Sequence, residues 1–119
     1  MREPANEPDA RLAVVRHVVD LLAAQDYPAL ERLSRGVRLS AAELAEAVRE
    51  YGVTLLPLPR DSNAAVDFVR LRDAVPDDWS VVVSLYSREE GPSDLSLELT
   101  LRSDGHGGFS VELDDLHVR

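Results

Sequence analysis

Apolar residues recur at helical spacing at Leu12, Val15, Val19 and Leu22, and Val14, Val18 and Leu21 widen the stripe. The spacing predicts a well-buried amphipathic helix starting at Asp9, which follows Pro8 and suits an N-cap, where a carboxylate oxygen accepts from orphan backbone N–H groups. Asp26-Tyr27-Pro28 restarts the chain, because proline is tolerated in a first helical turn but not in a helix interior. Leu30 and Leu33 then give a short helix one apolar face, and Gly36 marks its stop. Ser40-Ala41-Ala42-Glu43 has the spacing of a capping box, and Leu44, Val48 and Tyr51 follow at helical intervals until Gly52.

After Gly52 the apolar period changes from 3.6 to 2 and β-branched residues become commoner. Val53 to Leu58, interrupted by Pro57 and followed by Pro59, reads as an edge strand or an extended connection. Val66 to Leu71 reads as a strand entered through an Asp61-Ser62-Asn63 turn. Trp79, Val81, Val83 and Leu85 form one side of the next strand, so Trp79 is expected in the core with the other three. Leu95, Leu97, Leu99 and Leu101 alternate with Ser96, Glu98 and Thr100, a strand with one face in water. A glycine-rich turn over Ser103 to Gly108 leads to a last strand starting at Phe109, and the three consecutive strands make an antiparallel meander.

That last strand changes phase. Its apolar positions are odd at Phe109, Val111 and Leu113 but even at Leu116 and Val118. One extra residue, a β-bulge at Asp114-Asp115, would return Leu116 and Val118 to the core and leave His117 on the opposite face. It would also collect Asp114, Asp115 and His117 near one rim.

Composition narrows the chemistry. The chain has 119 residues, no cysteine and a net charge of −9, and all 13 of its basic residues are arginine. Disulfides, thiolate zinc sites and cysteine nucleophiles are thereby excluded, as are P-loop and Schiff-base chemistry, which need lysine. The residues to Arg60 hold 8 Arg against 9 acids, and the rest hold 5 against 13. The second half should therefore repel nucleic acid and anionic membranes, whose binding depends on clustered cations, and should suit a basic protein. Met1 to Pro8 is polar, with two prolines and no apolar signal core, and reads as a disordered lead-in to one domain over residues 9–119. No apolar run approaches membrane-span length, so a cytoplasmic protein is expected.

Two stretches carry resemblances. The first helix followed by LLAAQDYPALERL is similar to the opening of nuclear-transport-factor-2-like domains of the cystatin-like fold group. That implies three helices packed inside a curled antiparallel sheet. WSVVVSLYSREEGPSDLSLELTL (Trp79 to Leu101) with VELDDLHV (Val111 to Val118) resembles a bacterial family of small proteins known only as a domain of unknown function, which implies a fold and no mechanism.

Three groups of residues are candidates for chemistry. Arg88 to Asp94 puts Glu89, Glu90 and Asp94 in one short inter-strand loop, where they either order the loop or meet a partner. Asp114, Asp115 and His117 offer two oxygens and a nitrogen, enough for a divalent ion only if another strand adds a ligand; neither a metal nor a cofactor is expected. His17, with Asp20 one turn later, is either a solvent-facing pair or an oriented imidazole, and with Tyr27, Asp67 and Trp79 it is a candidate pocket residue. No nucleophile elbow, dinucleotide loop or zinc-protease helix is present, so an enzymatic reading rests on fold analogy alone.

The expected architecture is α+β, three N-terminal helices on a curled antiparallel sheet of four to five strands. The expected role is a non-catalytic module that binds a basic protein through its acidic sheet half, as an immunity or inhibitor protein does. Its rival is a small-molecule or catalytic pocket domain. Oligomeric state is left open by the sequence, a homodimer included.

Overall fold

A computed structural model describes residues 10–60, 65–71 and 77–118. Three helices come first, α1 (Ala10–Ala23), α2 (Tyr27–Ser34) and α3 (Ala41–Tyr51). Five strands follow, β1 (Leu55–Leu56), β2 (Val66–Arg70), β3 (Trp79–Ser87), β4 (Gly91–Ser103) and β5 (Phe109–Val118). The lead-in to Pro8, the Asp9 cap and the Asp61-Ser62-Asn63 turn lie outside the described residues.

Each helix boundary has a local cause. Asp26 caps α2 by accepting from the Ala29 N–H at 3.2 Å, and Pro28 occupies a first-turn position where its missing N–H costs nothing. The helix ends at Ser34, just ahead of the expected Gly36, because Arg35 itself turns left-handed at φ 58°. Around α3 the reciprocal capping box is complete: Glu43 N–H donates to Ser40 Oγ at 3.1 Å, and Ser40 N–H donates to Glu43 Oε1 at 2.9 Å. Gly52 stops the helix at φ 81°, where a side chain would meet backbone strain.

All strand pairs are antiparallel, in the order β1-β3-β4-β5, with β2 also paired to β3. β1 and β2 share one edge of β3 in succession: Leu55 and Leu56 face Ser87 and Tyr86, while β2 faces Val83 back to Trp79. The sheet curls without closing, and its concave face takes the helices. Val81, Val83, Leu85 and the alternate leucines of β4 pack there with Val15, Val18, Val19, Leu22, Leu30 and Leu44, all essentially removed from water. Burial of this apolar set is the main source of stability, at roughly 25 cal/mol per Å². Arg16 ties α1 to the connection after β1, donating to the Arg60 carbonyl at 2.9 Å and the Leu58 carbonyl at 3.4 Å. No described helix is long and apolar enough to cross a membrane.

The bulge is present and its extra residue is Asp114. Asp115 pairs with Glu98 and Leu113 with Leu99, so nothing on β4 opposes Asp114. Leu116 returns to the core at 9% exposure, and His117 faces the other side of the sheet. Val118 does not return to the core. It points to the same side as Leu116 but is 55% exposed, because it sits at the free end of an edge strand and borders an open groove beside α3.

Trp79 also departs from expectation. It is half-buried, since it opens β3 at the end of the sheet, paired with Arg70 and Leu101. Its indole is covered by the Arg11 guanidinium, 4.3 Å from the ring centroid, and meets Phe68 edge-on at 6.5 Å. Val53 to Leu58 resolves into a two-residue strand between extended segments, the proline-flanked run being too short to pair further.

Candidate functional site

Glu89 and Glu90 are engaged within the chain. Thr54 donates its N–H to Glu89 Oε1 at 2.8 Å and its hydroxyl to Glu89 Oε2 at 3.0 Å, while the Arg88 N–H donates to the Thr54 carbonyl at 2.9 Å. Glu90 Oε1 accepts from Ser93 Oγ at 2.6 Å and Ser87 Oγ at 3.2 Å, and its Oε2 accepts from the Tyr51 hydroxyl at 2.9 Å. The two carboxylates thus clasp the end of α3 and the start of β1 to the β3–β4 turn. These hydrogen bonds favour the ionised forms and hold both acids below the usual glutamate range. The largest cause is the Thr54 N–H for Glu89 and the Ser93 hydroxyl for Glu90. Asp94, expected in the same loop, instead lies in β4, which starts at Gly91, and is exposed.

Asp114 is likewise occupied. Its Oδ2 accepts from the Thr100 hydroxyl at 2.7 Å, and Arg38, from the α2–α3 connection, stands 2.9 Å from its Oδ1. The bulge therefore anchors that connection to β5. Arg102 on β4 bridges Glu112 at 2.8 Å and Asp78 at 3.2 Å, and these acids, Glu112 foremost, raise its already high pKa.

Three further acids face outward together. On the convex face, Asp67, Val82, Glu98 and Asp115 are successive cross-strand partners in β2, β3, β4 and β5. Four strands about 4.8 Å apart make this row about 14 Å long. Beside it runs a second row of Ser84, Ser96 and His117. His117 stands between the carboxylates, its Nε2 3.3 Å from Glu98 Oε2 and its Nδ1 3.1 Å from Asp115 Oδ2.

The pocket candidates do not converge. His17 is exposed on α1, Asp67 is exposed on the convex face, and Trp79 lies on the concave side beneath Arg11. Tyr27 lines a shallow groove of about 330 Å³ with Val48, Gly52 and Val53, and burial raises its phenol pKa. His117 contributes instead to an open groove of about 270 Å³ between α3 and the end of β5, with Tyr51, Leu95 and Val118.

Glu98 and Ser96 were not singled out from the sequence, where they are ordinary polar positions of an alternating strand. Only the register across the bulge brings them beside Asp115 and His117. Tyr51 and Thr54 as partners of the Glu-Glu pair were equally hidden, being 39 and 35 residues away in sequence.

A family model described as Domain of unknown function (DUF7668) matches residues 19–119. The chain belongs to that family. The DUF7668 span begins within α1 and takes in α2, α3 and the whole sheet, so the clasp, the bulge and the convex rows all lie inside it. Arg11 and His17 precede it. No curated protein and no solved structure matches the chain.

Proposed function

We propose that this DUF7668 chain is a non-catalytic binding module that engages a basic protein through the convex face of its sheet, in the manner of an immunity or inhibitor protein. The observation that carries the proposal is the row of Asp67, Glu98 and Asp115 across four strands, outward-facing and, among the described residues, unpaired with any arginine. Three of the loop and bulge acids, Glu89, Glu90 and Asp114, already have internal partners, which moves the contact surface from the loop to the sheet. Between Asp67 and Glu98 lies Val82, flanked along β3 by Ser80 and Ser84, small or aliphatic side chains over which a flat partner surface can close. The proposal places the protein in the cytoplasm, consistent with its lack of cysteine, and groups it with bacterial nuclear-transport-factor-2-like domains, consistent with helices lying inside a curled sheet.

The test is affinity purification from the cells that make the protein, followed by binding kinetics with the purified partner. Asp67→Lys should slow association several-fold, and added salt should slow the wild type toward the same rate, because steering between opposite charges is screened within about 8 Å at physiological ionic strength. Equal rates for wild type and Asp67→Lys, with the loss appearing instead in Asp94→Lys, would move the interface back to the loop and defeat the proposal.

A further inference from the structure

Glu98, Asp115 and His117 form a preorganised cluster on the convex face. One ligand atom from each lies within 4.8 Å of the others. Their backbones are held by the β4–β5 ladder, in which Glu98 faces Asp115 and Ser96 faces His117, so the four positions make a square on one side of the sheet. Donor atoms on one divalent first-row ion, bonded at about 2.0–2.2 Å, stand about 3.0–3.5 Å apart. The His117 Nδ1–Asp115 Oδ2 distance, 3.1 Å, already falls in that range, while Glu98 stands 3.3 Å from the other ring nitrogen, Nε2, and has to swing toward Nδ1 to share the ion. Both carboxylates are about half exposed and can close the remaining gap by side-chain rotation.

Two further observations point to a ligand there. The Ser96 hydroxyl is 1% exposed and has no hydrogen-bond partner, although it stands directly across the ladder from His117 and two residues from Glu98 on the same side. His117 Nδ1 is shut off from solvent and makes no hydrogen bond, although it stands 3.1 Å from Asp115 Oδ2. A neutral imidazole donating from Nε2 toward Glu98 would turn the Nδ1 lone pair toward a carboxylate, an arrangement that a cation relieves. Buried polar groups are ordinarily paired, and two unpaired atoms at one cluster of oxygen and nitrogen donors call for a common partner.

We propose that Glu98, Asp115 and His117 bind one divalent first-row transition-metal ion, of which Zn²⁺ is the probe. The Ser96 hydroxyl hydrogen-bonds to a water in the ion's open coordination. One imidazole nitrogen with two carboxylate oxygens is a borderline donor set that suits such ions, whereas Ca²⁺ asks for six or more oxygens. The ion would convert the acidic centre of the row into a neutral one. The site does not rest on the partner reading, since Asp67 tests that reading without contributing to the cluster.

The experiment is calorimetric titration of the full chain, stripped with chelator, with ZnCl₂ near neutral pH, alongside thermal melting. Wild type should take up one ion per chain and melt higher with zinc. Glu98→Gln should weaken binding about tenfold or more, and His117→Ala should abolish it. His106→Ala, in the β4–β5 turn, should bind as wild type, and CaCl₂ should give no comparable uptake. Because His117→Ala also removes a side chain packed at the strand end, the wild-type imidazole ¹⁵N resonances provide an independent reading: one His117 nitrogen should shift to the metal-bound position while His17 and His106 stay put. Absence of heat and melting shift at millimolar zinc overturns the site, as does binding that survives in folded His117→Ala or shifts confined to the other histidines.

Discussion

Trp79 shows how a residue can obey the alternation of its strand and still stay out of the core. Its parity is that of Val81 and Val83, but it is the first residue of β3, where a guanidinium and one ring edge replace the packed helices. Trp79→Ala should therefore cost about 2–3 kcal/mol in denaturant unfolding, short of the roughly 3–5 kcal/mol of a fully buried aromatic. A larger loss would mean that the indole is enclosed on all sides. Glu89 and Glu90 lead to a pH prediction. Their folded pKa values lie below the unfolded value of about 4.3, so the unfolded chain binds more protons in acid. The stability they contribute is fully present above about pH 4.3 and is lost as pH falls through the lower folded values. The melting temperature of wild type should drop through that window, and Glu89→Gln/Glu90→Gln should melt lower at neutral pH with a flatter acid limb. An unchanged limb would show that the clasp carries no such linkage.

Elements were legible where local chemistry decides them. The Ser40/Glu43 box, the Gly52 stop and the alternation of β4 are written in neighbouring residues, and each is present in the fold. Ser40→Ala should lower stability by about 1 kcal/mol, measured by urea unfolding, since it leaves the Glu43 N–H without its cap. The parity change in β5 likewise revealed the bulge, because side chains two apart must share a face. The pairing of Glu98 with Asp115 was not legible. It depends on which residue the bulge leaves unpaired, a choice made by Arg38 and Thr100 gripping Asp114 from other elements. Deletion of Asp114 removes the extra residue and leaves Leu113, Leu116 and Val118 in one alternating series, so it should cost only the bend and those two contacts. Deletion of Glu98 turns two core leucines outward, each worth about 1.5–3 kcal/mol of burial, and should be far more damaging in urea midpoint. Equal damage from the two deletions would mean that the bend itself is required.

At the scale of the molecule, the net charge of −9 divides into acids that fasten the fold and acids that face outward. Glu89 and Glu90 hold α3 to the sheet, Asp114 holds the α2–α3 connection, and Asp67, Glu98 and Asp115 remain on the convex side. Charge counting could not separate these roles, because hydrogen-bond partners 35 to 39 residues distant leave no mark on local composition. The central claim is that the convex sheet face, and not the inter-strand loop, is the contact surface. An ¹H–¹⁵N NMR titration of the full chain with an arginine-rich peptide at low ionic strength tests it most directly. Perturbations should follow the row through Asp67, Val82, Glu98 and Asp115 and fade as salt is added; perturbations centred on Arg88 to Asp94, with the row unmoved, would contradict it.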